Sequence, residues 1–179
     1  MYLTKNEKIE IIENAISWIV VFAMFIYGSG KLFQFEGATE INKTVSELRG
    51  MELMWAFYGY SKAFAITIGV FEILGGILIF FKKTRIIGCF FTSAILINII
   101  LQDIYYNVHL GALKAAILYQ ILLLTILWIH KEKVLKSISI LIVPNNIKSS
   151  KTKSFKKLIF AFLIFVGLRI LEYYITIKW

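Results

Sequence analysis

Residues 66–81 read ITIGVFEILGGILIFF, an apolar run with a single acid, Glu72, near its middle. A charged side chain at the centre of a membrane span costs about 3 kcal/mol on insertion scales. An acid kept in such a place usually pairs with a base, binds a ligand or takes part in a reaction. The run therefore predicts a membrane-spanning helix and marks Glu72 as a candidate functional residue.

The whole chain has the composition of a membrane protein. Of its 179 residues, 59% are hydrophobic, against about 45–50% in soluble domains even when glycine is counted. Each apolar segment is close to the ~20 residues that a helix needs to cross ~30 Å of hydrocarbon, and none alternates as a barrel strand would. We predict an all-α, polytopic membrane protein with spans at residues 15–35, 63–81, 86–106, 112–130 and 158–177.

Basic residues between the apolar segments predict the orientation. The second and third segments are joined by Lys82, Lys83 and Arg85 without an acid, and residues 131–157 carry eight lysines against Glu132 alone. Cytoplasmic loops are enriched in lysine and arginine, so the net charge of +9 is explained by topology and predicts no nucleic-acid partner. Both loops, and with them the N-terminus, are predicted to be cytoplasmic, with Trp179 outside.

The chain divides into three predicted parts. Residues 1–131 form a four-helix transmembrane bundle, residues 132–157 a basic cytoplasmic tether, and residues 158–179 an appended fifth transmembrane helix. Within the tether, the apolar stretch 137–143 is too short to span, and the lysines after it suit an anionic membrane surface.

The connection between the first two spans has an unusual density of aromatic residues. Residues 50–64 read GMELMWAFYGYSKAF. Two interpretations remain open: an aromatic belt at the membrane interface, or a half-buried lid over a cavity.

Polar side chains from several helices fall at similar depths in the outer half of the membrane. One interpretation is a cavity open to the outside, and the other is structural hydrogen bonding between helices, at about 0.6 kcal/mol per bond. Glu72 with a lysine in reach favours the cavity, with a structural ion pair as the alternative. The inner half is expected to hold Cys89, Thr92 and Ser93 and no charge, while Arg169 and Glu172 can neutralise each other. The candidate cavity or ligand-binding residues are Lys31, Glu72, Asn98, Gln102, Tyr106 and Lys114.

Other chemistry is not indicated. The single cysteine permits no disulfide framework and no CxxC motif. His109 and His130 are predicted at opposite membrane faces, so they cannot share a metal or a haem. No catalytic residue, metal site or intrinsic cofactor is therefore predicted.

Several short motifs occur in order along the chain, namely Tyr27-Gly-Ser-Gly-Lys31, Leu53-Met-Trp55, Tyr58-Gly-Tyr-Ser61, Phe71-Glu-Ile-Leu-Gly-Gly76, Lys83-Thr-Arg85 and residues 98–106. Together they resemble the DoxX-like family of small bacterial membrane proteins. The most specific is Phe71-Glu-Ile-Leu-Gly-Gly76, and the likeness covers residues 15–131. The resemblance implies a four-helix bundle in the bacterial cytoplasmic (inner) membrane, with recurrent polar positions at Lys31, Glu72, Asn98, Tyr106 and Lys114. One founding member is similar to a subunit of a thiosulfate:quinone oxidoreductase.

Three functional hypotheses follow, and enzymatic activity stays open. The first is a redox-linked membrane subunit whose outward cavity binds a quinone head group or a small sulfur species, with Glu72 as proton relay and Lys31 or Lys114 as the anion or carbonyl contact. The second is a non-enzymatic assembly or transport partner that grips a lipid or a segment of a partner protein. The third is a proton-coupled transporter, disfavoured by the small number of helices and the lack of a visible repeat.

Overall fold

The computed structural model describes residues 3–142 and 151–177. Those residues form seven α-helices, and the connection before the second helix, residues 31–49, includes a 3₁₀ turn at Val45–Glu47. The helices are α1 (Lys5–Gly30), α2 (Gly50–Tyr60), α3 (Lys62–Phe80), α4 (Arg85–Tyr105), α5 (Leu110–Ile129), α6 (Lys131–Ile142) and α7 (Lys151–Ile177).

Five helices in the described part of the chain are long and apolar enough to cross a membrane, namely α1, α3, α4, α5 and residues Phe155–Thr176 of α7. The chain separates into two compact units, Met1–Ile138 and Ser139–Trp179. Helix number and apolar length agree with the predicted all-α polytopic membrane protein. The orientation of the N-terminus and the appended position of the fifth span stay predictions.

In the first unit, four helices close into a ring. α1 packs on α3 and α5, and α4 packs on the same two helices. Val20, Ile79 and Leu123 are fully buried between them, whereas Trp18 and Phe22 on α1 are more than 60% exposed. Large exposed apolar side chains around a bundle of this kind suit contact with lipid.

Glycine allows the helices to approach closely. A Cβ atom built on Gly28 of α1 would lie 2.6 Å from the carbonyl oxygen of Gly69 on α3, and one built on Gly69 would collide with the carbonyl of Gly28. On the other side of α3, a Cβ on Gly88 of α4 would lie 2.6 Å from the backbone nitrogen of Ile79. Small residues of this kind permit tight packing of membrane helices.

Two elements differ from the predicted boundaries. α1 begins ten residues earlier than expected, after a capping box in which Thr4 and Glu7 exchange hydrogen bonds. Its first turns carry acids, which is why apolarity alone places the start too late. The aromatic connection forms a separate helix, α2, which the hydropathy pattern does not reveal.

The predicted tether is helical where the structure describes it. α6 covers residues 131–142 and α7 begins at Lys151, while residues 143–150 and the predicted outside position of Trp179 lie outside the described part of the chain. α6 places its apolar residues on one face. In the second unit, Arg169 and Glu172 form the predicted ion pair.

Candidate functional site

Lys31 and Glu72 meet where α1 contacts α3. Lys31 caps the end of α1. A Cβ atom built on Gly69 would lie only 3.0 Å from the Cβ atom of Lys31. The lysine stem therefore passes over a glycine, and Nζ comes to 3.8 Å from Oε1 of Glu72. The close packing of two glycines is thus what brings the acid and the base together.

Glu72 is fully buried, yet its carboxylate forms no hydrogen bond within the part of the chain that the structure describes. Among the described residues, no donor lies in hydrogen-bond range of either oxygen. Lys31 instead donates to Oε1 of Gln34 at 2.8 Å. Buried ion pairs offset their desolvation only when further hydrogen bonds satisfy the charged groups, so structural pairing alone does not explain Glu72.

The pair borders a cavity of about 410 Å³, which is within the usual size range of small-molecule sites. Each of the helices α1 to α5 contributes residues to the wall of this cavity, and so do the connections after α1 and after α4. The lining residues are Met24, Tyr27, Lys31, Gln34, Phe35, Met51, Met54, Trp55, Tyr58, Ile68, Glu72, Leu96, Ile99, Gln102, Asp103, Val108, His109, Ala112, Ala116 and Tyr119.

Aromatic rings form much of the wall. Phe35 stacks on Tyr58 with ring centroids 5.1 Å apart and meets Trp55 edge-on at 5.6 Å. Tyr27 and Tyr119 form a second edge-on pair at 6.2 Å. These rings give the cavity flat apolar surfaces against which a planar ligand can stack.

A second acid borders the same cavity. Asp103 is 7% exposed, and its Oδ2 has no hydrogen-bond partner among the described residues. Trp55 likewise has a buried Nε1 without an acceptor there. Two acids therefore face one lysine, with the His109 ring also in the wall. Buried polar groups without partners call for an explanation such as bound water or a ligand.

Three of the six predicted site residues line the cavity, namely Lys31, Glu72 and Gln102. Gln102 donates to Asn98 at 2.5 Å and is hydrogen-bonded to the Tyr58 hydroxyl.

Asn98, Tyr106 and Lys114 are exposed and do not belong to the lining. Asn98 is exposed on α4 and is connected to the cavity wall by the hydrogen bond that it accepts from Gln102. Tyr106 comes after α4 has ended, and Lys114 is in the first turns of α5 with its side chain outward.

The structure adds wall residues that were not predicted. Met51, Met54, Trp55 and Tyr58 occur at positions i, i+3, i+4 and i+7, the spacing of one helical face. That spacing was the signal that could have identified α2 as part of the site. Of the two interpretations of this segment, the geometry favours the one in which it covers a cavity.

A second polar cluster lies at the other end of the bundle. Glu13 Oε1 accepts from Arg85 Nη1 at 2.7 Å and lies 3.0 Å from His130 Nε2, while Arg85 also donates to Asn14 and to the carbonyl of Ile79. Arg85 is 2% exposed. α1 extends far enough to place Glu13 beside the first residue of α4. The expectation of an inner half without charge stays a prediction.

Helices of membrane-spanning length around a partly polar cavity define a small multi-pass membrane protein. Residues 9–115 match the sequence model of a protein family described as methylamine utilisation protein MauE. The chain belongs to that family. The match includes Lys31, Glu72 and Asp103 but ends before Tyr119. The resemblance to DoxX-like proteins stays a prediction.

The chain is also similar to an individual protein. The chain is 30% identical over 117 residues to the uncharacterized protein YwoB of Bacillus subtilis (strain 168), covering 64% of this chain and 73% of that protein. No solved structure matches the chain.

Proposed function

We propose that this protein is a redox-linked subunit of the bacterial cytoplasmic membrane that binds a quinone head group in the cavity beside Lys31 and Glu72. The cavity faces the outside and the N-terminus the cytoplasm, as the loop charges predict. The observation that carries the proposal is a fully buried acid without a hydrogen-bond donor in the wall of an aromatic cavity.

The charge of the cavity favours a neutral ligand over a sulfur oxyanion. When both are ionised, Glu72 and Asp103 together outweigh the single positive charge of Lys31. A second negative charge brought into this wall would meet two carboxylates in a medium of low dielectric constant, where repulsion is strong. A quinone head group carries no charge, and its flat ring suits the stacked surfaces of Phe35 and Tyr58.

The donors for a quinone carbonyl are present. The ammonium of Lys31 and the unpartnered N–H of Trp55 both border the cavity. Glu72 is the group that would exchange a proton with the bound ring, since a carboxyl group in hydrogen-bond reach can act as general acid or base. A bound quinone would supply the redox chemistry, and a partner subunit of the oxidoreductase class would supply or accept the electrons.

The proposal is tested by identifying what the purified protein carries. Full-length protein extracted in mild detergent should release a quinone in near-stoichiometric amount on solvent extraction, measured by mass spectrometry. The Glu72→Gln variant should fold and lose that quinone. Glu36→Gln is a matched control, because Glu36 pairs with Lys62 away from the cavity.

A second candidate is a non-enzymatic assembly or transport partner that grips a lipid or a partner segment. The observation that favours it is the methionine content of the wall, with Met24, Met51 and Met54 on two different helices. Flexible methionine side chains suit binding surfaces that adapt to varied apolar partners. Protein that carries a defined lipid or a stoichiometric partner, and no quinone, would favour this candidate over the first.

A further inference from the structure

Hydrogen-bond acceptors outnumber donors among the unpartnered atoms of the cavity wall. Within the described residues, both oxygens of Glu72 and Oδ2 of Asp103 are buried acceptors without a hydrogen bond, and Trp55 Nε1 is the corresponding donor. Lys31 donates one of its three N–H groups to Gln34. With the two acids ionised, a ligand that complements this wall donates hydrogen bonds as well as accepting them.

The two acids can reach a ligand from neighbouring helices. Glu72 is on α3 and Asp103 on α4, and both border the same cavity. Their oxygens are covered by neighbouring side chains, but the terminal torsions of Glu and Asp rotate over broad ranges. Either acid can thus turn an oxygen toward a hydroxyl group placed between them.

The oxidised and reduced forms of a quinone differ in whether their oxygen atoms can donate hydrogen bonds. The oxygens of the oxidised ring only accept hydrogen bonds, so they satisfy Lys31 and Trp55 and leave the ionised forms of both acids without a donor. Each hydroxyl of the reduced ring donates and accepts. A hydroxyl that donates to an ionised carboxylate forms a charge-assisted bond, about twice as strong as a neutral one.

We infer that the cavity binds the quinol form in preference to the quinone form, with Glu72 and Asp103 as the acceptors of the two hydroxyl groups. This inference rests on the proposed function. A tenfold preference for the reduced form raises the midpoint potential of the bound two-electron couple by about 30 mV. The site would therefore hold quinol until a partner of the oxidoreductase class withdraws its electrons.

The test compares the two forms of one ligand. Full-length protein in detergent is titrated anaerobically with a tail-free dimethoxy-methyl-benzoquinone and, separately, with its quinol, by isothermal titration calorimetry. We expect the quinol to bind about tenfold more tightly or better, as one additional charge-assisted hydrogen bond predicts. In Asp103→Asn and in Glu72→Gln the ratio should fall toward unity, because an amide can also donate to the quinone.

The matched control is Glu36→Gln, which should keep the ratio of the unaltered protein. If Glu72→Gln does not fold, Asp103→Asn alone carries the test. Equal binding of both forms, tighter binding of the quinone, or an unchanged ratio in the variants would overturn the inference and leave a quinone site standing. Binding of neither form would overturn the proposed function as well.

Discussion

Gly28 and Gly69 decide whether Lys31 can reach Glu72. Each would place a Cβ against the carbonyl oxygen of the other, so the backbones touch at this point. The ion pair at 3.8 Å depends on that approach. The buried acid could be found in the sequence, because one carboxylate stands out in an apolar run, but its partner could not be identified from spacing alone.

Gly69→Ala should separate α1 from α3, because the added methyl group would collide with the Gly28 carbonyl. Overpacking of this kind costs about 1–3 kcal/mol, so thermal unfolding in detergent should occur at lower temperature. Gly30→Ala is the control, since a Cβ there would meet no described atom within 4 Å. Equal unfolding temperatures for the two variants would contradict this account of the packing.

Arg85 makes a contact that its sequence context does not reveal. Its sequence context, beside Lys82 and Lys83, suggested a role in orientation. In the structure it is the first residue of α4, buried and bonded to Glu13. Sequence spacing gives no hint of this contact, since the two residues are 72 positions apart.

Arg85→Met should lower the free energy of unfolding by up to about 3 kcal/mol, because it leaves the part-buried Glu13 with His130 as its remaining partner. Chemical denaturation in mixed micelles measures this loss. The double variant Arg85→Met, Glu13→Gln should recover part of it. Lys82→Met is the control: Lys82 pairs with Glu10 at an exposed position, where ion pairs contribute about 0–1 kcal/mol.

At the scale of elements, spans were predicted well and interfacial helices were not. Hydropathy detects α3, α4 and α5 because their apolar runs nearly coincide with the helices. It misses α2, which is 11 residues long and too short to span. Apolar runs alone therefore could not predict that α2 forms part of the cavity wall.

Glu52 anchors the first turn of α2. Its carboxylate accepts from the backbone N–H of Arg49 at 2.9 Å, and from the side chains of Arg49 and Lys43 at 3.2 Å. These contacts, led by the backbone hydrogen bond, lower the pKa of Glu52 from 4.5 to about 2. Because the folded pKa lies below the unfolded one, the stabilising contribution is complete above the ordinary carboxyl pKa and declines as pH falls toward about 2.

Glu52→Gln should reduce protection of the α2 amides from hydrogen exchange at neutral pH, measured by mass spectrometry. The difference from the unaltered protein should shrink as the pH approaches about 2, where the native carboxylate also takes up a proton. Glu36→Gln should leave α2 protection unchanged. Identical protection in Glu52→Gln and the unaltered protein at neutral pH would show that this contact does not hold α2.

At the scale of the whole molecule, the orientation in the membrane rests on the loop charges. A cysteine introduced by Lys43→Cys should react with an impermeant maleimide in intact cells, and one introduced by Lys83→Cys should react only after permeabilisation. Both positions are exposed, and the native Cys89 is fully buried, so the unaltered protein is the unreactive control. Labelling in the opposite sense would reverse the orientation and place the cavity toward the cytoplasm.

The packing of the first unit predicts that it folds without the fifth span. Its core contains Val20, Ile79, Leu96 and Leu123 from four different helices, and the residues that line the cavity all fall between positions 24 and 119. A chain ending at Ile142 should therefore insert, remain monodisperse in detergent and keep the ligand of the full-length protein. Size-exclusion chromatography with light scattering measures whether the shortened chain is monodisperse. Mass spectrometry of the solvent extract measures whether it keeps the ligand. If the shortened chain aggregates while the full chain does not, the fifth span belongs to the core, and the family match over residues 9–115 would then describe only part of the folding unit.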